Sequence, residues 1–455
     1  MFKKVAFLAA IALAVSTTDA WAIGNQNGYD VNEKGILQIG ANEAADIQVK
    51  AGASREDVVS FPGAEYIAIR FDSFNLPAGD EVIVRNGDSS ITYTYSGKGR
   101  NDAGAFYATY IPGDKAVVQY IARNKEAATT GDFGYKIPAF ARGLSPRPTE
   151  SICGGGDNSV PAKCLTNGTL HDTLPLAYER SKAVARLLIN GTSLCTGWLA
   201  GSEGHLITNQ HCIDDPALAA STDIEFNAES TDCADECKKQ LGCAGTVVTK
   251  SSEFITNDEA IDYAVLKLPA TADIKQYGFL QLRESGPLLG EEIYIPQHPV
   301  GWAKRVATHT ENNEPAYIKT IHGSKSCGEN QVGYSADTQG GSSGSPVLAW
   351  SDNYVVSLHH CGGCENEGAD ITDVIKDLNK KNIKIKDLLA PSTPAPSTSV
   401  PAPTTTAPAP TTTAPAPTPA PSQAGFCDNF KNQLSCQIWF WCNWNKSSNS
   451  CAKRY

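Results

Sequence analysis

The chain has 455 residues, of which 41% are hydrophobic and 19% charged, and its formal net charge is −11. That composition supports buried cores over a length that suits roughly two to four domains. No basic excess is available to neutralise phosphates, so nucleic acid is excluded as the main partner, and an acidic membrane surface would repel the chain rather than hold it.

The N-terminus reads as an export signal over residues 1–22. Lys3 and Lys4 form a basic start, Val5 to Val15 is an apolar run too short to span a bilayer comfortably, and Ala20-Trp21-Ala22 is a small-residue cleavage site. The mature chain is expected to begin at Ile23, secreted and extracellular. No later stretch is long and apolar enough to span a membrane. The 14 cysteines are an even set in an exported chain, so disulfides are the default. None precedes Cys153, ten fall between Cys153 and Cys364, and four follow Gly425, which divides the chain into modules that stay folded by different means.

Residues 23–148 read as a β-sandwich. Large apolar residues alternate in Tyr66-Ile67-Ala68-Ile69-Arg70-Phe71, in Glu81–Arg85 and in Ile91–Tyr95, separated by turn signals such as Pro77-Ala78-Gly79-Asp80 and Asn86-Gly87-Asp88. The run from Ala64 to Asp88 resembles a CUB or similar jelly-roll module, without that family's cysteines. The likeness names no ligand, and a propeptide or folding-assistance role fits equally. Gly143 to Pro148 reads as a linker.

Residues 149–390 form the cysteine-containing module. Its predicted strands include Ala183–Ile189, Leu206–Thr208, Tyr263–Leu268, Glu292–Ile295 and Tyr354–Leu358, with a closing helix over Asp373–Lys380. Residues 391–425 are almost all Pro, Thr, Ala and Ser, a spacer that cannot build a core. Residues 426–455 carry Cys427, Cys436, Cys442 and Cys451 with Trp439, Phe440, Trp441 and Trp444. So small a unit needs disulfides to fold. Its aromatics either stack on carbohydrate or another surface, or form its own small core. Asn167, Asn190 and Asn445 are glycosylation sequons.

Three local settings in the 149–390 module carry chemistry. Hydrolysis of a peptide bond by serine needs a nucleophile, a histidine to move its proton, a buried carboxylate to orient that histidine, and backbone donors for the oxyanion. Gly340-Gly341-Ser342-Ser343-Gly344-Ser345-Pro346 is a run of small residues that can turn tightly and admit a substrate carbonyl, and the strand Val347–Trp350 follows at once, which argues against a linker. Ser343 is the candidate nucleophile, and the N–H groups of Gly341 and Ser343 are the candidate oxyanion hole. In Leu206-Ile207-Thr208-Asn209-Gln210-His211-Cys212 an apolar strand ends on His211, and a Cys195–Cys212 bridge would staple it from behind. Asp262 opens the apolar run Tyr263–Leu268, where a buried carboxylate must find hydrogen bonds.

Together these segments resemble those of trypsin-like peptidases: strand-His-Cys, Asp-x-x-x-Leu-x-Leu and Gly-x-Ser-Gly-x-Pro, in the order His, Asp, Ser. The likeness covers roughly residues 150–380. Gly341–Pro346 and Leu358-His359-His360-Cys361-Gly362-Gly363 look like the bacterial branch that includes lysyl and glutamyl endopeptidases. The resemblance implies an all-β chain: a double β-barrel peptidase domain with its active site between barrels, preceded by the CUB-like sandwich and followed by the Pro/Thr linker and disulfide-rich tail. It implies a secreted serine endopeptidase acting on proteins or peptides, with no cofactor and no metal.

The pattern departs from animal trypsins at Ser342, where an aspartate would receive a newly cut N-terminus. Activation in that form is not expected. Asp337, six residues before Ser343, sits where trypsins place the carboxylate of the primary pocket and points to Lys/Arg specificity. His359 and His360 point instead to acidic side chains, as in glutamyl endopeptidases, unless they pack behind the pocket. Asp370 is a further candidate acid. Cys233, Cys237, Cys243, Cys361 and Cys364 could be zinc ligands, but an oxidising compartment favours disulfides. The resemblance to lysyl endopeptidases implies pairs Cys153–Cys364 and Cys164–Cys233, with Cys237–Cys243 and Cys327–Cys361 remaining. Two other classes stay open: a catalytically silent, protease-like adhesion or binding protein, and a CUB-like binding protein matured by its own peptidase domain.

Overall fold

The computed structural model describes residues 36–124, 126, 131–144, 152, 156–325, 328–363, 365–391 and the short stretches 442–445 and 450–453. The export signal, most of the expected 143–148 linker, Cys153, Cys327, Cys364, nearly all of the Pro/Thr spacer and most of the tail lie outside them. Residues 1–392 form one compact unit and residues 393–455 another. In the second, Cys442–Asn445 pairs antiparallel with Ser450–Lys453.

The first part of the large unit is two antiparallel sheets around one core. In one sheet Gly134–Gly143 lies between Gly40–Lys50 and Tyr66–Asn75, and Phe106–Tyr107 and Ile111–Pro112 pair with the latter. The other sheet runs Arg55–Ser60, Lys115–Ile121, Glu81–Arg85, Thr92–Tyr95. The strand at Tyr66 explains its own sequence. Ile67, Ile69 and Phe71 point into the core between the two sheets, while Tyr66 and Ala68 pack the other way, against the second part of the unit. A strand covered on both faces carries no polar alternation.

The second part is built on two eight-stranded antiparallel sheets, a trypsin-like, barrel-type arrangement. One has the order Thr246–Thr249, Thr222–Phe226, Val184–Ile189, Ser193–Ala200, His205–Thr208, Tyr263–Lys267, Glu253–Asp258. Its eighth strand, Leu37–Gln38, comes from the far N-terminal side and adds to Ser193–Ala200. The other has the order Val160–Pro161, Arg305–Ala307, Ile293–Gln297, Pro346–Ala349, Val355–Cys361, Asn366–Asp370, Gly328–Tyr334, Ile318–Lys325. The helix Ile371–Lys380 closes this part, burying Ile371, Val374, Ile375 and Leu378 along one stripe. Asp370, expected near a pocket, is instead the N-cap of this helix: its Oδ1 accepts the Thr372 N–H at 2.8 Å. A carboxylate satisfies an orphan donor there and meets the positive end of the helix.

The two parts are not beads on a linker. Leu37, Ile39, Tyr66, Ala68, Tyr110 and Ala141 share one buried cluster with Leu188, Leu194, Leu241 and Val300. Gly143 ends a strand rather than starting a linker, and the Leu144 N–H bonds to the Ile39 carbonyl at 2.8 Å. Polar contacts cross the same boundary. Tyr66 Oη donates to the Gly191 carbonyl at 2.7 Å, and Tyr110 Oη to Glu225 at 3.1 Å. Arg100 pairs with Asp223 at 2.8 Å with both side chains almost fully buried. Lys250 lies over the rings of Tyr93 and Tyr95, 4.6 Å from each centroid, and its burial pushes the ammonium down to about 8.

Disulfides between described residues join Cys164–Cys233, Cys195–Cys212 and Cys237–Cys243. The sulfurs weighed as zinc ligands at Cys233, Cys237 and Cys243 are therefore spent. Cys361 is disulfide-bonded too, while Cys153, Cys327 and Cys364, on which the remaining pairings depend, lie outside the described residues. No helix among the described residues is long and apolar enough to cross a membrane.

Because Arg100 and Asp223 are buried across the boundary, Arg100→Ala removes the cation paired with this carboxylate and leaves only the charge of Lys250 to offset it. The expected loss is about 3–5 kcal/mol, read as a lower urea midpoint for the whole unit in one transition. A separate, unshifted transition for the second part would contradict the shared core.

Candidate active site

Strand pairing brings the histidine and aspartate together. His205–Thr208 and Tyr263–Lys267 are antiparallel neighbours, with Thr208 opposite Ala264, so the turns that hold His211 and Asp262 leave the same end of the sheet. The Cys195–Cys212 bridge ties the residue after His211 to the adjacent strand. Asp262 receives two bonds from His211: the backbone N–H on Oδ1 at 2.9 Å and ring Nδ1 on Oδ2 at 2.7 Å. Asn209 Nδ2 bonds to the Asp262 carbonyl at 2.8 Å. Asp262 has φ 59°, a left-handed backbone that a non-glycine residue holds only when its surroundings insist.

The other sheet contributes a third bond. His360 places Nδ1 2.9 Å from Asp262 Oδ2, and its Nε2 meets Gln331 Oε1. Burial alone would raise the Asp262 carboxyl. The charge of His211 and the hydrogen bonds from His211 and His360 outweigh it and hold the group well below the usual carboxylate range. Asp262 is thus an anion bridging two imidazoles.

Ser343 is half-buried in a loop fastened to the first sheet by one residue, Thr196. The Thr196 N–H donates to the Ser343 carbonyl at 2.8 Å, and Thr196 Oγ1 donates to the Gly341 carbonyl at 2.8 Å and accepts the His298 N–H at 3.2 Å. Thr208, three residues before His211, donates Oγ1 to the Thr196 carbonyl at 2.8 Å. Gly344 has φ 89°, and a Cβ there would strike the Thr196 carbonyl and Thr208 Oγ1. Glycine is needed because the loop must lie against the strand that leads to the histidine. Ser342 is fully buried; its Oγ accepts the Gln339 N–H at 3.3 Å and its carbonyl accepts Ser345 Oγ at 2.6 Å.

Within this loop the N–H groups of Ser342, Gly344 and Ser345 are spent on the carbonyls of Gln339, His359 and Ser342. Those of Gly341 and Ser343 have no partner among the described residues. Backbone donors removed from solvent are nearly always paired, so two free ones, on Ser343 itself and two residues before it, suit an incoming oxygen. The Ser343 hydroxyl makes no hydrogen bond to His211 among the described residues; the structure forms the His211–Asp262 link and leaves the serine link open. Such bonds are commonly long in the free protein and tighten on a substrate. A cavity of about 360 Å³ opens beside the pair, lined by Gln210, His211, Asp214, Glu259, Asp262 and His360.

The expected specificity residues separate. Asp337 is buried; its Oδ2 accepts the Asn158 N–H at 3.0 Å and its carbonyl accepts Gln297 Nε2 at 2.8 Å. It borders a depression of about 210 Å³ with Glu311, Glu314, Lys319 and Glu365, whose lining does not include Ser343 or His211. His359 is buried and bonds Tyr334 Oη at 2.6 Å through Nδ1. Burial, with the charges of His360 and His211 adding, pushes it down to about 3. A neutral, enclosed imidazole has no charge to offer an acidic side chain, and His360 spends both ring nitrogens on Asp262 and Gln331. Two roles escaped sequence reasoning. One is His360 as a support of Asp262, and the other is Thr196 as the fastener of the loop. Thr196's only sequence signal is a lone polar residue in the buried run Leu194–Leu199.

Residues 195–358 match the family model described as a trypsin-like peptidase domain. The secreted RxLR effector protein 73 of Plasmopara viticola is 38% identical over 333 residues, covering 70% of this chain and 80% of that protein. This chain belongs to the family of that effector, and it carries a trypsin-like peptidase domain. The uncharacterized protein y4fB of Sinorhizobium fredii is 30% identical over 197 residues, 40% of this chain and 28% of that protein. Among solved structures, the inactive form of the Rv3671c protease matches with a TM-score of 0.33 and 15% identity over 46% of this chain and 92% of that one. The HtrA-type protease AlgW with tripeptide gives 0.34 and 17% over 48% and 64%. The peptidase domain model begins at Cys195 and ends at Leu358, so it contains His211, Asp262 and Ser343 and stops just before His359 and His360.

Two measurements follow for the peptidase domain. Thr196→Val keeps the shape but leaves the Gly341 carbonyl and the His298 N–H unpaired; a loss of about 1–3 kcal/mol is expected in chemical denaturation. His359, held neutral in the fold down to about pH 3, takes up a proton on unfolding below its ordinary value of about 6.5. Stability therefore falls as pH drops from about 6.5 toward 3. In His359→Gln the slope over that window should shrink by up to about 1.4 kcal/mol per pH unit, and an unchanged slope would show that the imidazole is not buried neutral.

Proposed function

We propose that this protein is a secreted serine endopeptidase that hydrolyses protein or peptide bonds through an acyl-enzyme, with Ser343 as nucleophile, His211 as general base and then acid, and Asp262 as the carboxylate that orients it. The observation that carries this reading is the pair of free N–H groups on Gly341 and Ser343, in a loop pinned by Thr196 to the strand that leads into the His211–Asp262 pair. Ser343 Oγ attacks the substrate carbonyl while His211 Nε2 takes its proton. The two N–H groups hold the oxyanion. The imidazolium, stabilised by Asp262, returns the proton to the leaving amine, and water then releases the acyl group by the same steps in reverse. His360 acts as a positioning residue, bonding through Nδ1 to the same Asp262 oxygen, Oδ2, that His211 Nδ1 meets. The word "secreted" in the name of the Plasmopara viticola relative and the disulfides in the fold support export.

Cleavage after Lys or Arg is the preferred specificity. Asp337 supports it by its offset of six residues from Ser343, where trypsin-like peptidases place the acid of the primary pocket. The buried neutral state of His359 speaks against the glutamyl alternative.

Digestion of a peptide library with the purified protein tests both levels. Cuts are expected after Lys and Arg. Ser343→Ala should abolish turnover and fluorophosphonate labelling, and Asp262→Asn should lower kcat by about 10⁴ with the fold intact. Full activity in Ser343→Ala would refute the nucleophile, and cuts after acidic residues would refute the role given to Asp337.

A further inference from the structure

The strand edge beside Ser343 is already occupied by the protein's own N-terminal side. Leu37 and Gln38 pair antiparallel with Leu194 and Ser193, a register that continues residue 36 toward Cys195 and its bridge to Cys212. Leu37 lies against the Ser343 loop: a Cβ on Gly340 or Gly341 would meet its side chain at 3.3 or 3.2 Å. Gln38 Nε2 donates to Ser193 Oγ at 2.7 Å, and the N–H groups of Ile39 and Gly40 bond to the Thr192 carbonyl at 2.8 and 3.1 Å. Ile36, Leu37 and Ile39 are at most 3% exposed. From Gly40 the chain runs directly into the Gly40–Lys50 strand of the first sandwich sheet, so the occupant is held at a fixed place by a folded domain.

The direction of this strand is informative. Going backward from Gln38 to Ile36, the chain approaches the disulfide behind His211, so its amino side faces the reacting centre. In hydrolysis by serine, the segment whose amino side faces the nucleophile is the leaving segment, because the scissile nitrogen belongs to it. A substrate extending past its scissile bond would add as a strand to a free edge, and here that edge is taken. The strand leaves the cavity of about 360 Å³ at His211, Asp262 and His360 free: none of its lining residues belongs to 36–40 or 192–195.

We propose that residues Ile36–Ile39 fill the leaving-group side of the cleft, so that the intact chain turns over acyl groups with small leaving groups freely and slows the cleavage of polypeptides that continue beyond the cut, which must first displace this strand. The inference rests on the serine-peptidase reading above. In it, the N-terminal sandwich presents a strand that restricts which substrates reach Ser343.

The test uses the full chain and two substrates with the same acyl sequence ending in Lys, one a p-nitroanilide and one an internally quenched peptide with four residues after the scissile bond. Gln38→Cys with Ser193→Cys joins directly opposed positions whose side chains already touch, so a disulfide can lock the strand. The ratio of peptide to anilide turnover should be at least tenfold lower in the locked protein than in the unmodified chain, and Leu37→Asp should raise it above that of the unmodified chain. Should Leu37→Asp fail to fold, the comparison of the locked pair with the unmodified chain decides alone, since a bridge between positions already in contact keeps the fold. An equal ratio in the locked and unmodified proteins would overturn the proposal. Fluorophosphonate labelling separates the two levels. Labelling with an unchanged ratio sinks only the strand's role. No labelling in any form sinks the peptidase reading, and this inference with it.

Discussion

One buried carboxylate organises the site. Asp262 is placed in a left-handed turn between strands and largely removed from water, a position that is costly unless its lone pairs find donors. Its donors come from three places: the His211 backbone, the His211 ring and the His360 ring on the opposite sheet. Satisfying this one charge therefore fixes the imidazole of His211 and links the two sheets at their shared edge. The free donors on the Ser343 loop matter only because that line is in place.

Thr196 makes the second connection. Its backbone and hydroxyl reach the Ser343 carbonyl, the Gly341 carbonyl and the His298 N–H, and Thr208 bonds back to its carbonyl. With the carbonyls taken up in this way, the N–H groups of Gly341 and Ser343 are left without a partner among the described residues. Gly344 completes the arrangement by letting the loop lie closer to the strand than any side chain would permit. The result is pre-organisation: donors are oriented before any substrate arrives.

The N-terminal sandwich is part of the same body. A strand buried on both faces, a buried Arg100–Asp223 pair and the Leu37–Leu194 pairing join it to the peptidase domain. This differs from a tethered prodomain, whose removal would expose little. Here, taking the sandwich away would uncover Leu188, Leu194 and Val300 together with Glu225 and Asp223. Stability and access to the site are thus coupled through one interface.

Much of this was legible in the chain itself. Ser343 within its glycines, His211 at a strand end beside Cys212, and Asp262 before an apolar strand are local patterns, set by the backbone needs of a tight turn and by strand periodicity. The same holds for the sandwich strands and for Cys195–Cys212. What pairs across distance was not legible. His360 faces Asp262 and His359 is sealed against Tyr334, because side chains 98 and 25 residues apart meet only when the sheets fold over one another. Asp370 caps its helix through the Thr372 N–H two residues on, a local role hidden because the sequence pattern starts that helix only at Asp373. The occupation of the cleft edge by Leu37 lies furthest from sequence reasoning. Hydrogen bonds between strands are made by the backbone, which is chemically the same at every residue, so only the tertiary structure decides which strand an edge receives.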